Sequence, residues 1–150
     1  MAWVMYDKFL QGQLDGSSQP NAFIDFNGDT IVLLLVDSSN APAKATDQDI
    51  ADAIAGSTEV TGSNYARKTL ASVTVTLSSG TVTVDANDPS AYSQHSSGFS
   101  DARYAVIAED PGADASSPLI CYADLAANKN NVSGSLTLQF SASSGIFTVA

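Results

Sequence analysis

A chain of 150 residues with 44% hydrophobic content fits one domain that buries about two-thirds of its unfolded surface, and its ordinary apolar content is not that of a disordered protein. Sixteen Asp and Glu stand against six Lys and Arg, a formal net charge of −10. That balance repels nucleic-acid phosphates and anionic membrane surfaces alike, so neither is expected as a partner. Charged residues make up only 15% of the chain, against a norm of roughly 25%. Serine and threonine supply the missing polarity, the profile of a secreted-looking or assembly-type β protein.

Trp3, Tyr6, Phe9, Leu10 and Leu14 recur at three- and four-residue spacings, which predicts a short amphipathic helix on an N-terminal arm spanning 1–14. Gly12 weakens its second half, and the run 16–20 (Gly-Ser-Ser-Gln-Pro) ends it. Two readings stay open: the aromatics pack on the parent domain, or the arm docks on a partner. No basic n-region or sustained apolar core precedes it, so no signal peptide is expected.

Asn27-Gly28-Asp29 predicts a turn, and Thr30 to Val36 a strand buried on both faces. After a loop at 37–43, residues 46–56 predict a second short helix with Thr46 as N-cap and Gly56 as its stop. From Val73 the pattern alternates. Val73, Val75 and Leu77 share one face with Val82 and Val84 across Ser78-Ser79-Gly80, a hairpin with threonines on its other side. Two apolar runs, 99–110 and 117–124, flank a Pro/Gly/Asp/Ser linker, and a last hairpin is expected between 136–140 and 146–149. At least six strands with one or two short helices predict a mainly β domain over 1–150, an antiparallel β-sandwich with jelly-roll-like connections.

Chemistry is sparse. The sole cysteine, Cys121, lies inside Leu119-Ile120-Cys121-Tyr122, the setting of a buried inert thiol, and it has no partner for a disulfide. His95 stands alone in a polar loop, without a Gly-x-Ser-x-Gly elbow anywhere in the chain. Zinc lacks ligands. Asp47-Gln48-Asp49 and Asp85-Ala86-Asn87-Asp88 gather oxygens without the spacing of a calcium loop, and turn capping accounts for both. Asn131-Val132-Ser133 fits the glycosylation pattern by chance. The chain is therefore expected to be non-enzymatic, with no cofactor and no metal.

Among so few cations, Arg67 and Arg103 stand out, one before the Thr/Val hairpin and one opening an apolar strand. With the arm residues Trp3, Tyr6, Phe9 and Leu10, and with Tyr92 in its polar loop, they make up the candidate partner-binding set. Tyr65, Tyr92 and His95 would form a shallow sugar platform if they gathered at one end of the fold.

Several segments together resemble a family of small virion-associated proteins of tailed bacteriophages. They are 4–10 (Val-Met-Tyr-Asp-Lys-Phe-Leu), 29–39, 59–70, 102–107 (Ala-Arg-Tyr-Ala-Val-Ile), 117–122 and 144–149. They span nearly the whole chain in the family's order. The resemblance implies a virion structural protein: a capsid decoration or cement protein that binds between major capsid protein subunits, as a homo-oligomer (dimer or trimer). Its alternative is a tail or head-fibre component binding a host-surface glycan. Synthesis in the host cytoplasm and a place on the capsid surface follow from the first of these. The loop 89–98 departs from the family in being longer and richer in serine.

Overall fold

The computed structural model describes residues 1–15, 23–56 and 58–150. Its elements in chain order begin with strand β1 (Val4–Met5), helix α1 (Asp7–Asp15), strand β2 (Ile31–Val36) and helix α2 (Ile50–Ala53). Strands β3 (Lys68–Thr69), β4 (Thr74–Ser78), β5 (Thr81–Asp85), β6 (Ala102–Glu109), β7 (Leu119–Lys129) and β8 (Phe147–Val149) follow. Among the described residues strand makes up 35% and helix 11%, so the expected mainly β class is what forms.

The spine is β2. All six of its residues are buried, as an unbroken aliphatic run requires of a strand covered on both faces. It pairs antiparallel with β6 in the register Ile31↔Glu109 to Val36↔Tyr104, and β6 pairs with β7. The five-stranded sheet runs β1-β7-β6-β2-β3. The two apolar runs flanking the 110–117 linker are thus adjacent strands of one sheet. The second sheet has three strands in the order β4-β5-β8, and its inner residues Val84 and Phe147 join the same hydrophobic core as the larger sheet.

Helix α1 bridges the two sheets. Phe9 meets Phe26 and Phe147 edge-on, with ring centroids 6.2 and 6.0 Å away, a geometry favoured by the aromatic quadrupole. The helix begins at Asp7, because Val4–Met5 ahead of it pairs with β7 as an edge strand. The predicted terminator at 16–20 lies outside the described residues.

Two expectations are corrected and a third is not confirmed. The second helix is shorter than predicted: Asp49, with extended backbone, is its N-cap and accepts from the Asp52 amide at 3.0 Å, while Thr46 lies in a preceding turn. The C-terminal hairpin does not form a ladder: β8 pairs with β5 (Val84↔Phe147), and Leu136 bridges to Tyr92 instead. The reason is Gly145, at φ +58°, which packs so tightly on Val84 that a Cβ would sit 2.5 Å from its carbonyl oxygen. Only glycine turns the chain there and lets β8 reach β5. Jelly-roll connectivity, finally, finds no support in sheets of five and three strands, the smaller being a local hairpin joined by the C-terminal strand.

Candidate interaction surface

Most of the candidate partner-binding residues are used inside the chain. Tyr6 and Phe9 are buried. Tyr6 packs on Tyr122 at 5.1 Å, and its amide donates to the Ile120 carbonyl. Trp3 is half-buried against Phe140 at 5.8 Å. Leu10, half-buried, packs against the core and, together with the buried Phe9, lines an open groove. The segment 1–14 is therefore woven into the parent fold, as the first of its two readings anticipated.

Arg67 closes a network. Its guanidinium donates to Glu59 at 2.7 and 2.9 Å and to Asp114 at 2.6 and 3.1 Å. Tyr65 Oη donates to the same Glu59 at 2.7 Å and accepts from the Leu35 amide at 3.1 Å. The arginine thereby fastens the 3-10 turn at Asp114–Ser116 to the bridge that Glu59 makes with Val36. Hydrogen bonding to Arg67 holds the Asp114 carboxyl below its usual range. Arg103 grips Asp124 on the neighbouring strand in a two-pronged pair at 2.8 and 2.9 Å.

The would-be sugar platform does gather, but inward. Tyr92 is 1% exposed, lies nearly parallel to Tyr65 at 5.8 Å, and meets Phe99 edge-on at 5.6 Å. Lys68 Nζ sits 4.7 Å from the Tyr92 ring centroid, a cation–π contact. Burial pushes the Tyr65 and Tyr92 phenols well above their ordinary value. His95 remains outside, its Nδ1 accepting from the Ser97 amide at 3.0 Å. Tyr92 thus has no face left for a sugar, and the half-buried Tyr65 turns one face to the Tyr92 ring.

The acids have a local explanation. Asp47 accepts from the Ala43 amide, Asp85 from Ala86 and Asp88 from Phe140. Asp37 and Asp110 likewise accept from amides two residues ahead, the Asx-turn pattern. Much of the negative charge is thus turn chemistry. Asn131 is buried, and its Nδ2 donates to the carbonyls of Ser63 and Ser93, so the folded chain offers no glycosylation site there. Burial also raises the Cys121 thiol, as expected of an inert core cysteine.

What the sequence reading missed lies on the smaller sheet. Cross-strand pairs Val75↔Val84, Leu77↔Val82, Val82↔Val149 and Val84↔Phe147 put all these side chains on one face. Helix α1 covers only part of it. A groove of about 340 Å³ remains between Leu10 and Leu14 on the helix and Val75, Val82 and Val149 on the sheet, with Gln13 its one polar lining residue. Leu77 is 73% and Leu14 88% exposed. The alternation of Val73, Val75 and Leu77 signalled this face; what covers it was not signalled.

No family model matches the chain, and neither a curated protein nor a solved structure matches it.

Proposed function

We propose that the protein is a non-enzymatic structural component of a bacteriophage virion, a capsid decoration or cement protein that binds between major capsid protein subunits. One observation carries the assembly part of this reading: an apolar face beside an open strand edge, on a domain whose two arginines and most of whose described aromatics are engaged within the chain. Exposed apolar surface of this kind marks protein–protein contact, and an open edge offers backbone hydrogen bonds to a neighbour. The virion setting comes from the sequence resemblance.

The fibre alternative depended on Tyr65, Tyr92 and His95 as a glycan platform, and the burial of Tyr92 removes that support. The deciding experiment is the copy number of the protein in purified virions, by quantitative mass spectrometry against the major capsid protein. Hundreds of copies in a simple ratio to the shell protein are expected. A few tens would move the role to tail or fibre, and absence would overturn it.

A further inference from the structure

Strand β4 is the open edge of the smaller sheet, and all five of its residues are exposed. It joins β5 through Ser79 (φ 50°) and Gly80 (φ 83°), a two-residue turn with both central residues left-handed. In such a hairpin the residues flanking the turn, Ser78 and Thr81, exchange both backbone bonds, and hydrogen-bonded pairs alternate from there. Thr76↔Thr83 is therefore a bonded pair, and the N–H and C=O of Val75 and Leu77 point away from β5, toward open solvent. Among the described residues no backbone group from elsewhere bonds to this edge.

Natural edges are usually blunted by charge, proline or a bulge. This one has none of these. Residues 71–84 carry no charged side chain and no proline, in a chain of net charge −10. Two acidic copies can meet along this stretch with little local repulsion, and it holds no charge to select an oppositely charged ligand. Its hydrogen-bonding pattern is also self-complementary. A two-fold axis at Thr76 sets Val75 opposite the second copy's Leu77, and Leu77 opposite its Val75, each as a bonded pair. The apolar side chains of both copies then fall on the same face.

We infer that the protein self-associates through antiparallel β4–β4 pairing about Thr76, forming a two-fold dimer with one continuous six-stranded sheet. The inference rests on the proposed assembly role for the use of the dimer, while its geometry stands by itself. Strands of five residues give an interface at the small end of the usual range of roughly 1,200–2,000 Å², so the dimer forms with rising concentration, as it would when copies crowd on a surface.

The test is sedimentation equilibrium of the full chain, combined with cysteine crosslinking. A concentration-dependent monomer–dimer equilibrium is expected, weakened at least tenfold by Leu77→Lys with the thermal melt of the monomer retained. Leu14→Lys, on the helix side of the groove, should leave the dimer intact. In Thr76→Cys the two thiols face each other across a non-bonded pair, with Cα atoms about 4.5 Å apart, a spacing that a disulfide spans. Mild oxidation should link this dimer but not Ser78→Cys, whose copies lie four residues out of register, on the order of 14 Å. The buried Cys121 does not compete.

Should Leu77→Lys fail to fold, the crosslinking at exposed Thr76 decides alone. A monomer at every concentration, equal crosslinking at 76 and 78, or a dimer lost in Leu14→Lys but kept in Leu77→Lys would overturn the pairing. A β4-linked dimer missing from virions would remove the virion role and leave the pairing standing; a monomer abundant in virions would do the reverse.

Discussion

Asn131 holds Phe99 in place from thirty-two residues away: its buried Oδ1 accepts from the Phe99 amide at 2.8 Å. The other half of the same amide group donates to Ser63 and Ser93 at 3.1 and 3.0 Å. One side chain thus ties three loops around the Tyr65–Tyr92–Phe99 cluster, with Gly98 leaving it room; a Cβ on that glycine would meet Oδ1 at 1.9 Å. Asn131→Ala strands the buried Phe99 amide and takes a donor from the Ser63 and Ser93 carbonyls, of which Ser93 keeps Asn64 Nδ2. A net loss of about 1–3 kcal/mol is expected in urea unfolding, with Gly98→Ala also destabilising. A melt unchanged in both variants would show that these loops are held by other contacts.

Arg67 joins two carboxylates from separate loops. Arg67→Met leaves Glu59 half-buried with Tyr65 Oη as its remaining side-chain donor. Partial exposure discounts the cost of a fully buried pair to about 1–3 kcal/mol at pH 7. The Asp114 value is lowered in the folded state, so the unfolded chain takes up the proton first as pH falls. Its contribution is complete above the unfolded value of about 3.9 and vanishes as pH drops through the folded value. The stability gap between wild type and Arg67→Met should therefore narrow below about pH 4, and a gap constant down to pH 2 would count against the pairing with Asp114.

Asp49 runs the other way. Burial, with Asp52 and Asp114 nearby, raises its carboxyl, while amide hydrogen bonds lower it less. The folded chain binds this proton more tightly, so stability is lost as pH rises from the unfolded value through the folded one, and the loss is complete at pH 7. Asparagine caps helices as well as aspartate does. Asp49→Asn should keep α2 and melt slightly higher than wild type at pH 7, the advantage vanishing at pH 3. A lower melt at pH 7 would mean that the charge itself holds the helix.

Legibility in the sequence followed the range of the interactions involved. Strand β2, the β4–β5 hairpin and the β6–β7 pair were readable because aliphatic runs, alternation and short turns are local signals. The destination of β8 was not, since Ile146 to Val149 fits a hairpin with 136–140 as well as it fits β5. A close packing of Gly145 on Val84 decides it. The candidate residues misled for a related reason. Tyr92 sits among serines, yet Tyr65, Phe99 and Lys68 arrive from distant segments to enclose it. The surface left over, β4 and the groove beside α1, reads in sequence like any half-buried hairpin, and its exposure depends on how little of the sheet one short helix can cover.

The N-terminal segment gives a last expectation that separates two views of its aromatics. An arm reserved for a partner could be removed without loss of the fold. Here residues 1–14 supply β1, paired with β7 through Val4↔Tyr122 and Met5↔Cys121, and most of α1. They also bury Tyr6 and Phe9, each contacting residues of the core. Losing one buried aromatic costs about 3–5 kcal/mol, and typical domains hold only about 5–15 kcal/mol in total. Deleting residues 1–14 should therefore abolish the cooperative melt and the native circular dichroism, and Phe9→Ala alone should lower stability by about 3 kcal/mol or more. A folded truncated chain that merely stops self-associating would return the segment to the role of an arm.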